Sequence, residues 1–262
     1  MSWLRIKAIA RRQSYVVKRA PQRWFDVVVW PVVDAVLFGS IGVYFARSSA
    51  PRSHQLAYLL VGIVLFHVIF QAEVSLATGF LEETWSRNLL NLLVTPLREV
   101  EFVAGVVLFG TLKMVAAVSV VSGVAALAFA FHITDVGLGL IPLMAILVVV
   151  GWSLALVVIG IVLRVGQGAD ILTWGGIALL MPLSGVFYPV NALPGPLQPL
   201  AKVLPTTHVF AAARTVISGG SLPLGQVVVA AAGSVVLSAL SVAFVLQMLA
   251  TFRQRGYITR HT

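Results

Sequence analysis

The chain has 262 residues, of which 59% are hydrophobic and only 10% are charged, and its mean hydropathy is +0.99. Soluble domains carry about 25% charged residues, so this composition excludes a soluble globular protein and indicates a polytopic membrane protein. The net charge of +9 favours anionic lipid headgroups over nucleic acid as the partner, and the lack of cysteine excludes disulfides, zinc thiolates and cysteine catalysis.

The first predicted element is a basic amphipathic helix within residues 1–25, ended by Pro21 and lying on the membrane surface. It has two interpretations: an anchor that only orients the protein, or a surface that also contacts a partner. The apolar run that follows starts near Val27 and contains Asp34, which is too late and too polar for a cleaved signal peptide. We therefore expect this run to be retained as the first membrane span.

Six apolar runs are long enough to cross about 30 Å of hydrocarbon as helices. An even number of spans places both termini on one side. Thirteen Lys and Arg residues fall on that side and four on the other, so the positive-inside rule predicts cytoplasmic termini. We expect an all-α integral membrane protein with a single transmembrane domain over residues 1–262. The predicted spans are Val27–Phe45, Leu56–Gly79, Val103–Phe131, Leu138–Leu163, Ile171–Pro189 and Val227–Thr251.

Three ionisable residues lie inside the predicted spans, namely Asp34, Glu73 and Lys113. Counted from the predicted cytoplasmic margins they are about 12 to 18 Å deep, so they could pair with one another. An unpaired charge at this depth costs at least about 2.5–3.5 kcal/mol. Two interpretations stay open: a polar cluster along a substrate path or proton relay, or a structural ion pair that locks the first three spans together.

No catalytic or metal-binding pattern stands out in the sequence. The five histidines show no ligand spacing, and no nucleophile–base set is visible. A P-loop needs Lys followed by Ser or Thr after a glycine-rich turn, whereas the four lysines here are followed by Ala, Arg, Met and Val. We therefore expect a chain that is not an enzyme by itself, and a membrane-embedded enzyme is the weakest interpretation.

Between the second and third predicted spans, residues 81–101 form a half-apolar, half-charged segment on the predicted cytoplasmic side. Leu89, Leu92 and Leu93 recur at three- and four-residue spacing, which predicts a short amphipathic helix parallel to the membrane. Pro96 cannot sit inside this helix and would end it. From periodicity alone, the helix is best interpreted as an interfacial spacer.

A second irregular segment follows the fifth predicted span. Residues 181–205 contain six prolines, too many for one continuous helix, yet they stay apolar. Non-helical backbone at membrane depth is tolerated only where protein buries it or where it lines a cavity. The pattern favours short broken helices that dip back into the outer leaflet, and we assign residues 189–224 to this external re-entrant segment.

Two blocks of the sequence resemble the permease subunits of type-two ABC exporters, the ABC-2 type transporter family. Residues 81–105 resemble an acidic, Arg-containing run that leads into Leu-Leu-x-Leu-Leu, a small polar residue and Pro-Leu. Residues 182–214 are similar to the family's last external segment, and the two blocks with the six-span layout cover most of the chain. Many relatives place an acidic residue shortly before the final Arg, where this chain has alanines at 211–213, so no acidic contact of Arg214 is carried over.

The resemblance implies a half-transporter. Two copies would form the translocation pathway as a homodimer, driven by two separate ATP-binding subunits that hold ATP and Mg, so no cofactor is expected in this chain. The helix after the second span would be the coupling helix that seats in the ATPase, with the N-terminal helix beside it. The implied ATPase contacts are Arg87, Asn88, Leu89, Asn91, Leu92, Thr95 and Pro96. The implied external gate comprises Pro182, Ser184, Tyr188, Pro189 and Pro194.

We therefore expect the membrane-spanning subunit of an ATP-driven exporter in the cell inner membrane. Its apolar spans favour a hydrophobic or amphipathic cargo, drug or lipid-like, over a polysaccharide or lipid-linked glycan, which would need aromatics and hydroxyls along its path. The alternative is an ion-coupled secondary transporter that uses Asp34, Glu73 and Lys113 as a relay, although no inverted repeat is visible.

Overall fold

A computed structural model describes residues 2–19, 25–48, 54–85, 98–169 and 171–255. Regular structure in these ranges is helical, without strands, and a π-helical turn over Phe25–Val29 leads into the second helix. The helices are α1 Trp3–Arg19, α2 Trp30–Ser48, α3 His54–Trp85, α4 Glu99–Phe129, α5 Leu140–Val165, α6 Leu172–Leu183, α7 Gln198–Val203, α8 Pro205–Ile217 and α9 Leu224–Arg255.

Five stretches of these helices are long and apolar enough to cross a membrane. The fifth predicted span, Ile171–Pro189, is helical only over the 12 residues of α6, about 18 Å, which is shorter than the hydrocarbon layer. Pro182 lies near its end, and Gly185 turns the chain with a φ of 64°. The other five predicted spans overlap the long stretches, which are Phe25–Arg47, His54–Glu83, Val100–Phe129, Leu140–Val165 and Leu224–Thr251.

The centre of the bundle is α3. The most apolar window of α3 is 100% buried, against 28% for α2, 22% for α4 and 17% for α9. Leu60, Ile63, Leu65 and Ile69 of α3 lie in the core, and α2, α4 and α5 pack around it. Since only a small part of α2, α4 and α9 is buried, these helices expose broad apolar faces that can contact lipid or another protein chain.

Glycines allow α3 to approach two of its neighbours closely. A Cβ at Gly151 of α5 would lie 2.7 Å from the carbonyl oxygen of Ile69 and 2.7 Å from the Cβ of Ala72. A Cβ at Gly79 of α3 would lie 2.5 Å from Cγ1 of Val106 in α4. Small residues at such crossings let backbones meet without a layer of side chains between them, as is common in membrane helix pairs.

The predicted amphipathic N-terminal helix is observed as α1, which packs against the start of α4. Its buried residues recur at three- and four-residue spacing, as expected for a helix with one apolar side. A Cβ at Gly105 of α4 would lie 2.6 Å from the Cβ of Ile9, so the two helices are in close contact. The buried side of α1 comprises Ile6, Ile9, Ala10, Gln13 and Val17, and its exposed side includes Lys7, Arg11, Lys18 and Arg19.

Candidate functional site

The connection between α3 and α4 is the strongest functional candidate in the sequence. Its predicted contact residues, Arg87, Asn88, Leu89, Asn91, Leu92, Thr95 and Pro96, lie outside the described residues. The two helices that carry the connection are described: α3 ends at Trp85 and α4 begins at Glu99. The geometry around these two ends therefore defines how the connection is attached to the bundle.

Two ion pairs tie α1 to both ends of the connection. At the end of α3, Arg12 forms a bidentate pair with Glu83, with Nη1 2.6 Å from Oε1 and Nη2 3.0 Å from Oε2. At the start of α4, Arg5 Nη1 lies 3.2 Å from Glu101 Oε2. The side chains of Glu83 and Glu101 are 2% and 1% exposed, whereas the arginines are 40% and 41% exposed. We call this arrangement of four residues the α1 clamp.

Glu101 also organises the first turn of α4. Its Oε1 accepts a hydrogen bond from the backbone N–H of Ser2 at 2.6 Å, and its Oε2 accepts one from the backbone N–H of Arg98 at 3.2 Å. The contact with Arg98 is the one that an acidic side chain at the third helical position makes in a capping box. One carboxylate thus joins the start of α1 to the start of α4.

Sequence reasoning did not identify Arg5 and Arg12 as partners of these carboxylates. A signal was present, because residues seven apart fall on nearly the same side of a helix and both arginines flank the apolar side of α1. The pairing itself joins residues 71 and 96 positions apart in the chain, and helix periodicity carries no information on contacts at that distance.

The three ionisable residues predicted inside the spans are not joined to one another by any hydrogen bond or ion pair in the described structure. Lys113 pairs instead with Asp26, with Nζ 2.6 Å from Oδ2. Asp34 Oδ2 lies 3.7 Å from Nε2 of His67 in α3. Glu73 is 1% exposed, and its Oε2 has no hydrogen-bond partner among the described residues. The similar depths allowed Asp34, Glu73 and Lys113 to pair with one another. Instead, Lys113 contacts Asp26 and Asp34 lies near His67.

A polar stripe runs along the side of α3 that carries these contacts. His67, Gln71 and Ser75 follow one another at four-residue spacing, so they lie on one face of the helix. Gln71 Nε2 donates a hydrogen bond to the carbonyl oxygen of Asp26 at 2.5 Å, within the π-helical turn. Asp26 is therefore bound both through its carboxylate, to Lys113 of α4, and through its backbone, to α3. The start of α2 is held on the same two helices that carry the α1 clamp.

The proline-rich segment between α6 and α9 lies at the end of the bundle opposite α1. Tyr58 Oη, near the start of α3, lies 2.8 Å from Oγ of Ser218 just after α8, whereas α1 contacts the far end of α3. The predicted breaks are observed: 3₁₀ turns over Val190–Ala192 and Gly195–Leu197 precede the short helix α7.

Arg214 of α8 holds the turn that follows α6. Its Nη1 donates hydrogen bonds to the carbonyl oxygens of Gly185 at 2.6 Å and Tyr188 at 3.4 Å. Tyr188 Oη in turn donates to the carbonyl oxygen of Pro182 at 2.9 Å. Burial lowers the pKa of the Arg214 guanidinium, which nevertheless stays charged at neutral pH. Among the described residues the hydrogen-bond partners of Arg214 are carbonyls, and the three residues that precede it are alanines.

The five predicted gate residues occupy different parts of this segment. Ser184 Oγ lies 2.6 Å from Thr206 Oγ1 of α8 and is buried, while Pro182 and Tyr188 belong to the turn held by Arg214. Pro189 and Pro194 each stand immediately before a 3₁₀ turn, where a fixed φ suits the entry. Hydrogen bonds from side chains to backbone thus tie this segment to itself and to α8.

Comparison with known proteins gives one consistent match. Residues 5–218 match the profile of the ABC-2 type transporter family. The inner membrane transport permease YadH of Escherichia coli strain K12 is 23% identical over 215 residues, which cover 81% of this chain and 82% of YadH. The protein of the same name from Shigella flexneri is 23% identical over the same length. The family match contains the α1 clamp, the α3–α4 connection and the segment held by Arg214.

Proposed function

Since this chain belongs to the ABC-2 type transporter family, as a membrane permease subunit, we propose that it is half of an ATP-driven exporter in which the α3–α4 connection is the coupling element. Permeases of this family lack a catalytic domain and a cofactor, and ATP is bound by a separate partner subunit, so the chain is not an enzyme by itself. It is a multi-pass protein of the inner membrane.

The α1 clamp is the observation that carries the coupling proposal. The connection leaves the bundle between Glu83 and Glu101, and one helix holds both carboxylates through Arg12 and Arg5. Because α3 is the buried centre of the bundle, a displacement of the connection reaches the core directly through the end of α3. The connection, α1 and the adjoining helix ends would therefore move as one body when a partner pushes on them.

The proposed ATPase contact is the amphipathic face of the connection, on the cytoplasmic side together with both chain termini. The leucine spacing of the sequence and the resemblance of residues 81–105 to the family's coupling segment support this assignment. The contact residues are Arg87, Asn88, Leu89, Asn91, Leu92, Thr95 and Pro96.

We assign α6 with the segment that follows it to the fifth of six crossings, with residues 189–224 external and re-entrant. The exposed apolar faces of α2, α4 and α9 support a homodimer surrounded by lipid, with the pathway between the two copies. They also support a hydrophobic or amphipathic cargo, drug or lipid-like, rather than a polysaccharide or a lipid-linked glycan.

We assign Lys113 to holding the start of α2 against α4, because it pairs with Asp26. We assign Asp34, whose Oδ2 lies 3.7 Å from Nε2 of His67, to the contact between α2 and α3. Of the three ionisable residues predicted inside the spans, Glu73 keeps the proposed role along the pathway, since its Oε2 lacks a partner among the described residues. Because Glu73 is 1% exposed, the helices around α3 would have to separate for cargo to reach it. An ion-coupled relay would need these residues to connect, and the separate contacts of Asp34 and Lys113 speak against it.

Co-purification with the ATP-binding subunit tests the coupling proposal. We expect Leu92→Arg to abolish assembly and the stimulation of ATPase activity, because it places a charge in the predicted apolar contact. Leu92→Met conserves volume and polarity class and should leave both intact. Leu4→Arg, on an α1 side chain that is 79% exposed, controls for added charge elsewhere. Unchanged assembly and ATPase stimulation in Leu92→Arg would contradict the assignment.

A further inference from the structure

An open groove of about 570 Å³ runs along α8 at the end of the bundle opposite α1. Among the residues that line it, Arg214 is the only charged one, and Asn191, Thr207, Thr215 and Ser218 supply polar groups. The groove therefore combines one cation with several neutral hydrogen-bonding groups, and no acidic residue lines it.

The guanidinium of Arg214 is only partly used by the protein. Of its five N–H donors, those on Nη1 reach the carbonyl oxygens of Gly185 and Tyr188. Its Nε and Nη2 donate no hydrogen bond to any described residue. Because the guanidinium is planar and its Nη1 is held by two carbonyl oxygens, the orientation of the remaining donors is restricted before any ligand arrives. A preset planar edge of donors is the arrangement that binds phosphate and carboxylate well.

The charge of Arg214 has no counterion among the described residues. No carboxylate of the described residues forms an ion pair with it, and the three residues that precede it in α8 are alanines. Asp135 lines a neighbouring groove that shares Gly220. Asp135 is 76% exposed and lies 4.0 Å from Nδ1 of His132. A half-buried cation with an open side and no acid beside it favours an anion from outside.

We propose that this groove is a binding site for an oxyanion, of the phosphate or carboxylate class, carried by the cargo, and that the exported molecule is an amphiphile with an anionic headgroup. This inference rests on the proposed export function and adds the chemical class of the cargo's headgroup. Arg214 would bind the oxyanion through Nε and Nη2, and the Asn191 amide at the rim can add a donor.

A substitution at Ala211 tests the site without touching the contacts that Arg214 makes. Ala211 lines the groove three residues before Arg214, so it lies one turn away on the same side of α8. Ala211→Glu places a carboxylate beside the guanidinium, where it competes with an external anion. Ala211→Gln has nearly the same size and no charge, and is the matched control.

The probe is dodecyl phosphate below its micelle concentration, titrated by calorimetry into the purified chain in nanodiscs of neutral lipid. We expect Ala211→Glu to weaken binding by about tenfold or more and Ala211→Gln to change it by no more than about twofold. Binding that is undiminished in Ala211→Glu, or lost equally in both variants, would overturn the site. If Ala211→Glu fails to fold, Thr215→Glu with Thr215→Gln repeats the comparison on the same groove wall.

Two further arms separate the sources of the anion and the two proposals. If inorganic phosphate binds as tightly as dodecyl phosphate, the alkyl chain contributes nothing to binding, and the proposal that the ligand is an amphiphile is overturned. Weaker binding of inorganic phosphate supports it. The titration needs no ATP-binding subunit. If Leu92→Arg leaves assembly and ATPase stimulation unchanged, the coupling assignment is lost, but the titration still shows whether the groove binds an anion.

Discussion

The two ends of the bundle are held together by different kinds of contact. At the α1 end, Arg12 and Arg5 pair with carboxylates on two other helices. At the opposite end, Arg214 donates to backbone carbonyl oxygens of the turn after α6. Side-chain pairs decide which helices meet but let them shift together, whereas bonds to carbonyls also determine the local path of the chain. The α1 end is therefore suited to transmitting movement and the α8 end to keeping one shape.

The largest effect is expected from reversing the charge at Glu83. Glu83→Arg would place two cations together at a buried position, and breaking a buried pair costs about 3–5 kcal/mol of unfolding free energy. Exchanging the charges in the double variant Arg12→Glu/Glu83→Arg should recover part of that loss. Chemical denaturation in detergent measures both.

Asp135→Arg is the matched control, because it reverses a charge that is 76% exposed and should change stability by no more than about 0.5 kcal/mol. A Glu83→Arg protein as stable as this control would show that the α1 clamp does not hold the helix ends.

Removing the guanidinium at the opposite end should have the next largest effect. Arg214→Gln leaves the carbonyl oxygens of Gly185 and Tyr188 without their donor, which costs about 1–3 kcal/mol. Arg214→Lys keeps a cation that can reach one carbonyl, so its melting temperature should lie between the other two. Identical melting of Arg214→Gln and wild type would mean that the turn holds its shape unaided.

A smaller loss is expected at Gly185, where backbone shape alone is tested. Its φ of 64° disfavours any residue with a Cβ, and that atom would lie 2.7 Å from the carbonyl oxygen of Tyr188. Gly185→Ala should therefore lower the unfolding free energy by about 1–2 kcal/mol. Gly195→Ala is the control, because nothing lies within 4 Å of its Cβ position and its φ is not positive. Equal stability of the two variants would refute the strain.

The smallest effect is expected for Arg5→Ala. The Arg5 side chain is 41% exposed, and Glu101 keeps the backbone N–H groups of Ser2 and Arg98 as donors. We expect no more than about half of the loss seen for Arg12→Ala, since Arg5 makes one contact at 3.2 Å whereas Arg12 makes a bidentate pair. High salt should further reduce the stability difference between Arg5→Ala and wild type, because it screens partly exposed charges. Melting curves at low and high ionic strength measure this, and a larger loss than for Arg12→Ala would reverse the order of the two pairs.

Much of the fold could be predicted from hydropathy, and the failures have physical causes. The five long spans follow from runs of apolar residues, which the bilayer requires. The predicted span over Ile171–Pro189 is longer than the observed helix α6. Apolar residues continue beyond Leu183, whereas the helical backbone ends there. Pro182 and Gly185 were the available signals, and only their combination ends the helix where it does.

The site was less predictable than the fold. The amphipathic pattern identified α1, but not the carboxylates that its arginines meet. Asp26 was not predicted as the partner of Lys113, because that contact depends on helix tilt and on the π-helical turn, neither of which periodicity reports. The contact residues of the connection lie outside the described part of the chain and stay a prediction.

The π-helical turn over Phe25–Val29 has a consequence for the orientation of α2. A π turn contains about one residue more than an α turn, so tightening it would rotate everything after Val29 by about 100° around the helix axis. Different residues of α2 would then face the lipid and the neighbouring helices. Gln71 and Lys113 hold Asp26 inside this turn, so two polar contacts at one end contribute to setting the direction in which a whole membrane helix faces.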